Sequence, residues 1–274
     1  MRVRIDLAYD GTDFKGWATQ PLLRTVQGEL TAALHTVLRL PDDTLRVTCA
    51  GRTDSGVHAR GQVAHCDLPP EVPAEVVGRL ARRLNGVLPG DLRIHRLAPA
   101  SEGFDARFAA LWRRYAYRIA DTAEAVDPLD RAYVVAWPRP LDVDAMNAAA
   151  ARLVGLHDFA AFCKQREGAT TIRTLQELSW TRATSGVLVG HVRADAFCHS
   201  MVRALVGCLV AVGEGRKDAE WAADILAGRR RDPGVVVMHA HGLTLEEVGY
   251  PDDASLAERV EQTSARRRAE EVDG

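Results

Sequence analysis

LRVTCAGRTDSGVHARGQVAHCDL, residues 45–68, is two β-rich runs held apart by a glycine-hinged polar loop. LRVTCA (45–50) and GQVAHCDL (61–68) carry the spacing of half-buried strands. A hairpin needs only about two to five connecting residues, and this connection has about ten, so the loop has a use beyond joining its strands. Outward from the pair the period changes. VRIDLAY (3–9) reads as a strand, and Val26, Leu30, Ala33, Leu34 and Val37 then fall on one helical face with Thr25 as N-cap. Downstream, a helix opens near Pro73 and runs to about Leu88, and DLRIHRLA (91–98) is a strand.

That order is β-α-β-β-α-β, and the rest of the chain repeats it. WRRYAYRIA (112–120) alternates like a strand, with a further short one expected at Tyr133 to Trp137. Met146, Ala149, Ala150 and Leu153 form a helical stripe. LQELSWTRA (175–183) and GVLVGHVRA (186–194) form a hairpin around Thr184 and Ser185. Helices follow at about 198–212 and 218–227, and HGLTLEEVGY (241–250) closes as a strand. The reading predicts an α+β protein: two tandem ferredoxin-like halves forming a mainly antiparallel sheet with helices on one side. The N-terminal half spans 1–104 and carries the loop, and the C-terminal half spans 105–251. Residues 252–274 form a charged tail, a frayed helix or disorder, whose removal after Pro251 is expected to preserve activity.

With 274 residues and 47% hydrophobic side chains the sequence can bury a sizeable core. The N-terminal MRVRIDLAYDG has no signal-like apolar run, and no stretch approaches a membrane span, so a soluble cytoplasmic protein is expected. Five scattered cysteines (Cys49, Cys66, Cys163, Cys198, Cys208) suggest neither zinc nor a disulfide framework but buried reduced thiols. Net charge is −2, yet only three of the 35 basic residues are lysine (Lys15, Lys164, Lys217). Arginine suits bidentate phosphate contacts, and it clusters at Arg79, Arg82 and Arg83, at Arg113 and Arg114, and at Arg229 to Arg231.

Four features can carry chemistry. Asp54 is a lone carboxylate on the loop, where it is either a helix cap for Ser55 onward or a catalytic acid; spacing alone allows both. Arg203 is the only permanently charged residue between Phe197 and Gly213, in a helix apolar nearly all round, so it calls for a carboxylate partner: Asp54, Glu177, Asp195 or Glu214. FDARFAALWRRYAY (104–117) interleaves aromatics with arginines, which suits an unstacked nucleotide or simply one face of a half-buried strand. YDGTDFKGW (9–17) is a polar turn. Asp54, His58 and His65 do not complete a metal set by spacing, and no metal is expected.

GRTDSGVHARGQVAH (51–65) closely resembles the signature loop of the TruA family of transfer-RNA pseudouridine synthases. The resemblance extends in order through YDGT and GW (9–12, 16–17), LPGD (88–91), ARF and RRYAY (106–108, 113–117) and FCHSMVR (197–203). It implies that Asp54 is the catalytic carboxylate and that Arg52 helps open the RNA and hold the flipped nucleotide. It also implies that Tyr115 lies against the target uracil and that Arg203 pairs with Asp54. His58, Arg107, Arg113 and Arg114 are further candidate RNA contacts. By the same resemblance the enzyme isomerises uridines at positions 38 to 40 of the anticodon stem-loop, as a homodimer without cofactor or metal. Ala18 and the pair Ala59–Arg60 depart from the family pattern without touching the four central residues. A non-catalytic RNA-binding protein of the same fold and a metal-dependent hydrolase are the rival classes.

Overall fold

Strict alternation makes β1 (Arg2–Tyr9) a half-buried strand: Val3, Ile5, Leu7 and Tyr9 turn inward, and the residues between them stay partly exposed. In this computed structural model, which describes residues 1–164 and 170–264, α1 (Val26–Leu38) follows with Thr25 as its N-cap, accepting from the Gly28 amide at 3.3 Å. Next come β2 (Thr48–Cys49), β3 (His58–Asp67), α2 (Ala74–Asn85) and β4 (Leu92–Pro99). The order is the one expected. The run 45–50 shrinks to two paired residues, Thr48 opposite His65 and Cys49 opposite Ala64.

The described residues divide into two units, Met1–Leu111 with residues 245–264, and Trp112–Thr244. In the first, strands lie in the order β4-β1-β3 with β2 paired to β3, and β1 is antiparallel to both neighbours. β10 (Leu243–Gly249) lies beside β3 and returns most of its length to this unit, although the sequence places it in the second half. The expected 104/105 boundary also moves: Leu111 donates its amide to Gly249 (2.8 Å) and Tyr250 donates its hydroxyl to the Ala106 carbonyl (2.7 Å), so the ARF turn stays with the first unit. The buried residues of this unit include Val26, Leu30 and Leu34 of α1, Val77, Leu80 and Leu84 of α2, and the inward residues of β1.

The second unit holds β5 (Trp112–Ala120), β6 (Val135–Ala136), α3 (Val143–Ala151), β7 (Gly155–Asp158), β8 (Ile172–Arg182), β9 (Leu188–Ala194), α4 (Met201–Gly213) and α5 (Ala219–Gly228). Its strand order is β5-β9-β8-β7, antiparallel throughout, with β6 parallel on β5. β7 was not foreseen; GLHD is too short to show a period. Arg182 reaches Asp121 with both terminal nitrogens (2.6 and 2.9 Å), closing an ion pair on a buried carboxylate that also takes the Leu141 amide. With α6 (Leu256–Ser264), the described residues hold ten strands and six α-helices, the α+β class.

Residues 253–264 correct the expectation of a frayed or disordered tail. A 3-10 turn leads into α6, Leu256 is 2% exposed, and a Cβ on Gly103 would lie 2.9 Å from that of Ala257. Residues 265–274 lie outside the described residues. Leu256→Ala should therefore cost about 2–4 kcal/mol in urea unfolding. An unchanged midpoint would return the segment to the frayed state. Truncation after Pro251, expected to be harmless, now removes a buried anchor.

The thiols divide. Cys49, Cys66 and Cys208 are free and buried, and burial pushes Cys66 and Cys208 up to about 12, beyond ordinary reactivity. Cys163 and Cys198, read as separate thiols, are instead paired as a disulfide with Cα atoms 5.7 Å apart. Lys164 donates its amide to the His199 carbonyl (3.0 Å), which brings two segments together that no spacing rule connects.

Candidate active site

Tyr9 and Gln62 are buried polar residues on facing strands, and each finds its partners in the loop of residues 51–57. Gln62 Nε2 donates to the Gly51 carbonyl (2.8 Å) and to Tyr9 Oη (3.2 Å), and Tyr9 Oη lies 2.8 Å from Thr53 Oγ1. The turn 9–17 grips the same loop from the other side. Trp17 donates its amide to the Thr53 carbonyl (3.0 Å), and Gly56 donates to the Phe14 carbonyl (3.3 Å). Gly16 has φ +88°, and a Cβ there would meet the Thr53 carbonyl oxygen at 2.9 Å, so only glycine permits this approach. Phe14 and Trp17 are 1% exposed and stand 6.3 and 6.2 Å from the Tyr9 ring, an aromatic anchor under the clasp. The turn read as a plain polar stretch is what holds the loop.

Asp54 sits half-buried at the centre of the fastened segment. Its carbonyl accepts from the Val57 amide at 3.2 Å, closing a turn at Ser55–Gly56. No helix begins at Ser55, so the capping alternative falls. Arg52 is exposed and makes no ion pair among the described residues. A buried network thus positions the loop, with a carboxylate and a solvent-facing guanidinium two residues apart on it.

His58 is an internal side chain. It is 6% exposed, and its Nδ1 lies 2.9 Å from the Gly11 amide and 3.0 Å from Asp10 Oδ1. The ring nitrogen accepts from the Gly11 amide. Burial pushes Asp10 up, but donation from Thr12 and the neighbouring His58 outweigh it and hold the group below its usual range. His65 is likewise internal, accepting from the Ala106 amide at 3.0 Å. Among the described residues no group of three His, Cys, Asp or Glu gathers as a metal site.

Burial lowers the pKa of His65 from 6.5, aided by Arg2 and opposed by Asp105 and Asp67. Below about pH 6.5 the unfolded chain therefore binds a proton that the folded chain refuses, so stability falls with acidification down to the folded group's own lower pKa. Asp67, held below the usual carboxylate range by Arg2, stays ionised across that window. Urea midpoints should drop between about pH 7 and 5, and His65→Gln should reduce the drop. An equal drop in the variant would remove His65 as its source.

In the second unit α4 buries every residue except Arg203, as its sequence implied. Arg203 Nε donates to the Met238 carbonyl (2.6 Å), while Met238 donates its amide back to the Arg203 carbonyl (3.1 Å). The three acids of this unit named as partners have other contacts. Glu177 faces Arg193 at 3.9 Å, Asp195 takes the Thr174 and Ala196 amides, and Glu214 takes Trp137 and Arg139. Ser200, three residues before Arg203, sits at φ +64°, a left-handed position at the helix start.

Tyr115 is 6% exposed on β5, with Phe197 edge-on at 5.1 Å and 88°. Phe197 was not foreseen as its brace. The aromatic–arginine alternation of 112–118 turns out to be two faces of one strand. Tyr117 is core: its hydroxyl donates to the His239 carbonyl (2.8 Å), and burial raises its pKa against the opposing pull of Arg203. Arg113, expected to contact RNA, points inward, 7% exposed, and donates to the Asp195 carbonyl (2.6 Å). Arg114 is half-buried on the opposite face of the strand, and Arg107, in the first unit, is exposed over the Phe108 ring at 5.0 Å.

Comparison with known proteins gives these sites a family. Residues 149–251 match the family model described as tRNA pseudouridine synthase. A tRNA pseudouridine synthase A of Streptomyces griseus subsp. griseus is 62% identical over 95% of this chain and 92% of its own. One of Frankia casuarinae is 62% identical over 97% and 96%, and one of Mycobacterium leprae is 49% identical over 95% and 93%. The loop that places Asp54, the clasp that holds it and identity along nearly the whole length lead to one assignment: the chain belongs to the tRNA pseudouridine synthase A family of isomerases.

Proposed function

We propose that the protein converts uridine to pseudouridine at positions 38 to 40 of the transfer-RNA anticodon stem-loop, with Asp54 as catalytic carboxylate. The observation that carries this reading is the half-buried Asp54 on a loop fastened by Gln62, Tyr9 and Trp17. The reaction breaks the C1′–N1 bond, turns the base, joins C5 to C1′ and releases the C5 proton, while N1 regains one. Asp54 serves it either by attacking C1′ or by taking a proton from C2′. A carboxylate must be held within a few tenths of an ångström for either, which is what the clasp supplies.

The target base leaves its stack at a cost of a few kcal/mol, which the exposed Arg52 offsets through the phosphate backbone. Tyr115, braced by Phe197, stacks on the freed uracil, and Arg203 serves as the cationic partner that the resemblance implies for Asp54. Arg107 and Arg114 remain candidate RNA contacts. Each unit is read as a ferredoxin-like half, and the working enzyme as a cytoplasmic homodimer acting without cofactor or metal. No helix among the described residues is long and apolar enough to cross a membrane.

The test is site mapping. Unmodified transfer RNA is incubated with the protein and its pseudouridines are located by carbodiimide-dependent primer extension. Stops corresponding to positions 38–40 support the proposal. Pseudouridine formed only elsewhere would refute the anticodon assignment and keep the isomerase.

A further inference from the structure

In the first unit the C-terminal end of α2 and the edge strand β4 form a shallow concavity of about 520 Å³, lined by Arg82, Asn85, Gly86, Arg93, Ile94 and His95. Its two walls are pinned together. Asn85 donates its side-chain amide to the Ile94 carbonyl (2.8 Å) and accepts from the Ile94 amide (2.9 Å). Arg79 and Arg96 are also exposed, on the same helix and strand. Two acids of the neighbouring segments are already answered: Arg24 holds Asp91 with two bonds of 2.7 and 2.8 Å, and Arg4 holds Asp6 at 2.7 Å. Among the described residues Arg79, Arg82, Arg93 and Arg96 make no ion pair. Last-turn arginines complement a helix dipole, and charges on an edge strand block stray pairing, so each alone has a structural use. Their convergence on one pinned concavity does not follow from either.

We propose that this concavity is a phosphate-binding surface that grips the transfer-RNA backbone beside the catalytic loop. The inference rests on the function proposed above. Tyr9, which fastens the loop, pairs with Ala59 of β3 on one side and Leu92 of β4 on the other. Two strand spacings put the β4 backbone at Arg93 about 10 Å from β3, close enough for one RNA stem to reach both. A stem that delivers its uridine to Asp54 therefore runs its backbone past Arg82 and Arg93, whose guanidinium forks suit phosphate oxygens.

The experiment measures transfer-RNA affinity of the full chain against salt, for wild type, Arg82→Gln/Arg93→Gln and Arg82→Lys/Arg93→Lys. Both positions are exposed, and thermal melts check that the variants stay folded. The glutamine pair should lower the log–log salt slope by about 2 and weaken binding roughly tenfold, seen as a raised KM rather than a lowered kcat. The lysine pair should recover most of the slope. Wild-type affinity and slope in the glutamine pair would overturn the surface while leaving the enzyme assignment standing. A wild type that binds no transfer RNA would overturn both.

Discussion

Asp54→Ala is expected to lower kcat by at least about 10⁴-fold, the scale on which enzymes lose an essential carboxylate. Stability should stay near wild type, because the bond that closes the turn, donated by the Val57 amide to the Asp54 backbone carbonyl, survives the substitution. Affinity for transfer RNA should also persist, since the exposed Arg52 and the α2–β4 arginines are untouched. Single-turnover formation of pseudouridine, a urea titration and a binding curve measure the three quantities. Parallel loss of turnover and of folding would remove Asp54 from the catalytic role and make it a structural residue.

Gly11→Ala should be nearly as damaging, by another route. A Cβ at residue 11 would lie 2.1 Å from the Val57 carbonyl oxygen and 2.5 Å from its carbon, both backbone atoms that no rotamer change can move aside. The turn 9–17 must then lift from the catalytic loop, at about 3 kcal/mol or more and a fall in Tm on the order of 10 °C. Activity should drop further than stability predicts, since the displaced turn is the one that positions Asp54. Gly78 in α2 is the control, with no atom within 4 Å of the added methyl. Gly78→Ala should stabilise the helix by about 0.5–1 kcal/mol. Equal behaviour of the two variants would mean that the clasp does not hold the loop.

Much of this was legible because it depends on neighbours in sequence. Alternation in 3–9 and 112–120, the Thr25 cap and the stripe of Val26, Leu30 and Leu34 are local, and the structure keeps them. Asp54 stood out because glycines and an overlong connection surround it. What escaped depends on pairings between distant segments. Gln62 was not singled out in the sequence, and its partners, Gly51 and Tyr9, needed the fold. The partners of Arg113 and His58 escaped for the same reason: charge and ring chemistry single them out, and only the fold directs them to Asp195 and Gly11. β10 returned to the first unit against chain order, and the pairing of Cys163 with Cys198 joins residues 35 apart without a motif.

The central claim is isomerisation of uridine by Asp54. Its most direct test is release of tritium from transfer RNA labelled at uridine C5, with the intact chain and EDTA present. Forming the C1′–C5 bond expels that hydrogen, so the account predicts release that reaches the number of pseudouridines formed and is absent with Asp54→Ala. RNA bound by the intact chain with no tritium released would contradict it and leave a binding protein in the enzyme's place.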